Sequence, residues 1–172
     1  MPKKETIERA KRDQRQGKSA STQAGEFVKE TIDEMRKGKH GARSTKQAIA
    51  IGLSKARRAG VDLPPPEKGK TSERTRKNAQ RAYREGQSGG HHKVSRRRSR
   101  AITKALQRES REPASREALS RQATQQAHKR TARERSQISK KAARTRLAHQ
   151  SHAERSRIAR KAAKTRAEHQ AG

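Results

Sequence analysis

The chain contains no cysteine and no tryptophan, and Phe27 and Tyr83 are its only aromatic residues. Without thiols, disulfides and thiolate zinc sites are excluded. With two aromatics, the stacking platforms of single-strand binders and RNA-recognition sheets are nearly absent as well. No apolar run reaches the eighteen or so residues that span a bilayer. The basic start, Met1-Pro2-Lys3-Lys4-Glu5-Thr6, leads into no apolar stretch, so no secretory signal is expected. Hydrophobic residues make up 26% of the 172 positions, well below the ~45–50% of ordinary globular chains. Such a chain cannot bury enough apolar surface along its whole length to offset ordering entropy.

What it has instead is positive charge: 47 Lys and Arg against 17 Asp and Glu, a formal net charge of +30. The excess is uneven, with a net of +8 over residues 1–66 and +22 over residues 67–172. A field of this sign calls for a polyanion. A membrane surface is a poor fit, because the basic half offers mainly alanine with isolated Ile and Leu where an interfacial helix needs a bulky apolar face.

The strongest local signals lie between Lys39 and Gly60. Ser44 followed by Gln47 predicts a capping box, with the Gln47 amide returning to the Ser44 N–H. Gly60 is placed to stop the helix in the left-handed conformation, with Val61 as its hydrophobic partner. At 100° per residue, Ala48, Ile49, Gly52, Leu53, Ala56 and Ala59 share one side. Lys46, Arg57 and Arg58 form a cationic ridge opposite, with Lys55 at its border. Further helices are expected over 4–16 and 22–37, ended by Gly17 and Gly38. The second carries Ala24, Phe27, Val28, Ile32 and Met35 at helical spacing, and Phe27, Val28, Ile32, Met35, Ile49, Leu53 and Val61 are expected to form a very small core.

The motif from Lys46 to Ser54, Lys-Gln-Ala-Ile-Ala-Ile-Gly-Leu-Ser, followed by Ala56-Arg57 and Gly60, resembles the signature of an uncharacterised group of small basic bacterial and phage proteins. The similarity is closest over residues 3–66. Similar chains carry loose labels, DNA-binding or plasmid-stabilisation protein, and the resemblance implies relatives without implying an activity.

Leu63-Pro64-Pro65-Pro66 reads as a stiff boundary. Beyond it a short basic helix capped by Ser72 is expected, with Ala79, Ala82 and Tyr83 on one side and Gly86 at its end; Ser88-Gly89-Gly90 reads as a flexible joint. From His91 to Ala171 there is no glycine and one proline, and Ala, Arg, Lys, Gln and Glu favour helix. Residues 136–150 repeat as 156–170, and Ala118 to Ala123 looks like a degenerate earlier copy. The expected organisation is therefore an all-α chain: a helical head (1–63), a proline-rich linker (64–71), a short basic helix (72–86), a flexible joint (87–94) and a basic, helix-prone, partly disordered repeat tail (95–172).

Phosphate contact is the chemistry that this charge serves, each Lys or Arg neutralising a phosphate and releasing counterions. The expected contacts are Arg43, Lys46, Lys55, Arg57 and Arg58 in the head, then Arg96, Arg97, Arg98 and Arg100, then Lys140, Lys141, Arg144 and Arg146, and finally Arg160, Lys161, Lys164 and Arg166. About seven residues join the two head helices, more than the 3–4-residue turn of a helix-turn-helix, so base-specific reading is not expected. Gly17-Lys18-Ser19 lacks the earlier glycine and strand of a phosphate-binding loop. His91-His92 and His149/His152 have metal-like spacing but no clustered carboxylates, and solvated histidines are the simpler reading. No cofactor, metal or catalytic residue is expected, because a core this small builds no pocket.

The expectation is a sequence-independent, nucleoid-associated, histone-like DNA-binding protein of the cytoplasm, with duplex DNA as first partner and RNA as second. The alternatives are an RNA- or ribosome-associated basic protein, and an adaptor whose head binds a protein partner in plasmid maintenance.

Overall fold

In a computed structural model, residues 2–89 and 95–170 are described. The His91-His92 pair and most of the expected glycine joint lie outside them. Among the described residues all regular structure is helical: α1 (Lys4–Arg15), α2 (Ala20–Arg36), α3 (Thr45–Arg58), α4 (Glu73–Gln87), α5 (Arg96–Gln107), a 3-10 turn (Glu112–Ala114), α6 (Arg116–His128), α7 (Ala132–His149) and α8 (His152–Gln170). The contacts divide the chain into two units, 1–123 and 124–172.

In the first unit α2 is the central helix, flanked by α1 and α3, and α4 lies on α3. The expected helix ends are where local chemistry places them. Gly17, Gly38 and Gly60 all take positive φ after α1, α2 and α3. At Gly60 the Val61 N–H donates to Ala56 O (3.2 Å) and the Gly60 N–H to Arg57 O (3.1 Å), the pairing of a Schellman stop. Ser44 Oγ accepts the Gln47 N–H at 3.2 Å, as expected, but the Gln47 Oε1 accepts from the Arg43 N–H (2.9 Å) rather than from Ser44.

Two apolar clusters hold this unit. The first joins Ala10, Ala24, Phe27, Ala56 and Val61, with Ile7, Leu53 and Leu63 against it. The second joins Ile32, Met35, Ala42, Ala48 and Ala114, with Val28 and Leu119 against it. Ala114 and Leu119 come from the stretch expected to be tail. The head is thus completed by residues more than forty positions beyond the prolines, because a core with so few large aliphatics gains from every apolar surface that can reach it.

Three expectations need correction. The side of α3 that is buried is centred on Ala48, Gly52 and Ala56, and Arg57 is buried with them at 7% exposure; it is no part of a solvated ridge. Arg57 is buried because its guanidinium is taken up by the Leu63 and Pro64 carbonyls and its own carbonyl lies against Gly86 of α4. Gly86 does not end α4. The helix runs through it to Gln87, and its bare Cα lies against the Arg57 carbonyl, so the glycine serves close approach between α3 and α4. Finally, the tail expected to be partly disordered is built of helices α5 to α8 over its described residues. Composition alone concealed the caps that start two of them.

In the second unit, α7 and α8 begin with matching caps. Thr131 Oγ1 accepts the Glu134 N–H at 3.2 Å while Glu134 Oε2 accepts the Thr131 N–H at 2.8 Å. Ser151 and Glu154 repeat the pair at 3.3 and 2.9 Å. The internal repeat is therefore a cap-to-cap unit of 20 residues, 131–150 and 151–170, longer than the stretch that sequence identity first shows.

Candidate nucleic-acid interface

Helix α5 reads Arg-Arg-Arg-Ser-Arg-Ala-Ile-Thr-Lys-Ala-Leu-Gln, with five cations, no acidic residue and nothing buried. Arg96, Arg100 and Lys104 stand at i, i+4 and i+8, so they form one row along the helix, with Arg97 beside it. Ile102 lies on the opposite side and is 59% exposed. Arg96, Arg97, Arg98, Arg100 and Lys104 have no ion-pair partner among the described residues.

In α7, Lys140, Lys141 and Arg144 fall within about 100° of arc. In α8, Arg160, Lys161 and Lys164 occupy the same register, and Arg146 and Arg166 stand off that arc at equivalent places. Thr145 and Thr165 each donate to the carbonyl four residues back, of Lys141 and Lys161, at 3.1 Å. Ile138 and Ile158 match as well, 48% and 49% exposed. All eight cations are exposed, and among the described residues only Lys164 has an ion-pair partner, Glu168 at 3.9 Å. The two helices are structurally equivalent cationic units.

The expected contacts of the head have a different character. Lys55 Nζ lies 2.6 Å from Glu34 Oε2 and 3.6 Å from Glu30 Oε1, with only 17% of its side chain exposed. Burial pushes the Glu34 carboxyl up, and the Lys55 hydrogen bond and charge, with Lys39 and His40, bring it below the ordinary glutamate value. Arg57 donates through Nε to Leu63 O (3.0 Å) and through Nη2 to Pro64 O (3.2 Å), fastening the proline stretch to α3; desolvation pulls its guanidinium below the usual arginine value. Arg58 is 3.6 Å from Glu85, and Arg43 is 2.8 Å from Glu109. Only Lys46 of these five is exposed without an ion-pair partner among the described residues. Of these five, Lys55 and Arg57 are fastened within the head itself.

Sequence reading left out Lys104, which completes the α5 row, and Arg133, Arg135, Arg155 and Arg157, which extend the charge of α7 and α8. The i, i+4, i+8 spacing from Arg96 was the available signal for Lys104. Among the described residues no group of three or more acidic or histidine side chains is arranged to hold a metal ion, and no helix is long and apolar enough to cross a membrane. The His149 side chain, one of the pair with metal-like spacing, lies outside what is described.

Residues 3–68 match the model of a family of unknown function (DUF6496). The match covers α1 to α3 and the proline stretch and stops short of α5, α7 and α8. No curated protein and no solved structure matches the chain.

Proposed function

We propose that this chain is a sequence-independent, nucleoid-associated DNA-binding protein that contacts the phosphate backbone and bridges or compacts DNA. The observation that carries this reading is the set of three bare cationic helices, α5, α7 and α8. Their Lys and Arg side chains are exposed and nearly all without acidic partners, in a chain with a net charge of +30. Polyvalent phosphate neutralises such helices and releases counterions, and it does so whatever the base sequence. The absence of an aromatic platform favours duplex over single strands. Several cationic helices in one chain allow it to hold two duplexes at once, which is the basis of bridging.

Titration of the full chain with duplexes of equal length and unrelated sequence tests the proposal. Equal affinities are expected, together with condensation of long DNA at low salt. A strong preference for one sequence would contradict it, as would RNA outcompeting duplex DNA at matched salt.

A further inference from the structure

The connection between α2 and α3 grips a distant part of the chain. The Gly41 N–H donates to Leu106 O at 2.8 Å and the Ala42 N–H to Ser110 O at 2.9 Å. Arg36 Nε donates to Ala114 O (2.9 Å) and Thr45 Oγ1 to Pro113 O (3.0 Å). Arg43 completes the set with its ion pair to Glu109. Beneath these bonds Ala42 and Ala114 are fully buried in one apolar cluster. Gly41 does not have positive φ, yet a Cβ there would collide with the backbone of Glu109 and Ser110. The glycine is required for close approach, and the gripped segment includes the last turn of α5 at Leu106.

We infer that this clasp is a positioning site for the nucleic-acid interface: the loop around Gly41 holds residues 106–114 so that α5 presents Arg96, Arg100 and Lys104 to a duplex backbone as a row already fixed on the compact unit. The inference rests on the nucleic-acid reading proposed above. A basic helix that floats must be ordered when it binds, and that ordering subtracts from affinity; a helix already held avoids the loss. The coupling is reciprocal, so a duplex on α5 tightens the clasp by the factor by which the clasp tightens the duplex.

Amide exchange and duplex binding on the full chain test this together. In the unmodified chain the Gly41 and Ala42 amides are expected to exchange slowly, and more slowly still with saturating random-sequence duplex DNA. Gly41→Ala is expected to speed exchange at Ala42 roughly tenfold while Phe27 and Thr31 stay protected. It should weaken duplex binding roughly 3- to 10-fold without changing the salt dependence, since no charge is lost. A paired substitution, Thr45→Val with Arg36→Met, removes two of the bonds without adding a clash and should act in the same direction. A clasp opened by either variant with affinity unchanged overturns the inference, and so does unchanged exchange in both. If the unmodified chain shows slow exchange at Gly41 and Ala42 but binds no duplex, the clasp stands as a structural contact and the nucleic-acid reading fails with its positioning role.

Discussion

Gly52 of α3 packs directly on Val28 of α2: a Cβ at Gly52 would lie 2.6 Å from Val28 Cα and 2.9 Å from its Cγ2. The two helices, which share the largest contact in the first unit, can approach this closely only because one of them lacks a side chain at the crossing. Gly52→Ala is therefore expected to destabilise the unit by roughly 1–3 kcal/mol, against the gain in helix propensity that alanine normally brings. Urea unfolding followed by circular dichroism measures this; a variant as stable as the parent would mean that the helices part without cost.

Arg57 separates structure from binding. Its guanidinium is buried and holds the Leu63 and Pro64 carbonyls. Arg57→Met keeps much of the aliphatic packing and removes the donors, so a loss of about 1–3 kcal/mol in stability is expected. Duplex affinity should stay within twofold, since the side chain is not presented to phosphate; a drop as large as that from removing an α5 cation would contradict this assignment.

The Glu34–Lys55 contact makes the head sensitive to acid. The folded Glu34 carboxyl sits below its ordinary value because Lys55 outweighs the effect of burial. Its contribution to stability is therefore complete above the unfolded value of about 4.3 and is lost as pH falls through the lower folded value. Lys55→Met leaves the buried carboxyl to be pushed upward by desolvation, so acid unfolding should begin at higher pH, with about 2 kcal/mol lost at neutral pH. Thermal melts across the acid range would show this; an unchanged acid midpoint would count against the pair.

The parts of the fold that were legible in the sequence are those governed within a few residues. Ser44 and Gln47 announce a cap, and Gly17, Gly38 and Gly60 announce stops, because each acts on backbone groups next to it. Arg57 and Arg58 are neighbours of one type, and only the arrival of Leu63 and Pro64 over one of them decides which is buried. Nothing near Gly41 in the chain indicates that Glu109 will pass against it. At the candidate interface, the dense cation runs of α5, α7 and α8 stand out in composition, but Lys104 is seen only once the helical i, i+4, i+8 row from Arg96 is followed. The Thr131–Glu134 and Ser151–Glu154 caps carry a readable Ser/Thr-x-x-Glu signal, but they stand outside the identical part of the repeat and precede helices without a clear apolar stripe.

The central claim, that α5, α7 and α8 engage phosphate through many independent cations, is tested most directly by the salt dependence of binding. The affinity of the full chain for random-sequence duplex DNA should fall with a log–log slope of roughly −5 to −9, corresponding to about six to ten neutralised phosphates. Replacing Lys140, Lys141 and Arg144 by Gln should make the slope shallower by roughly 2–3, whereas Arg57→Met should leave it unchanged. A slope for the full chain shallower than about −2 would mean that few of these charges meet phosphate, and the account of the three helices as a nucleic-acid interface would be wrong.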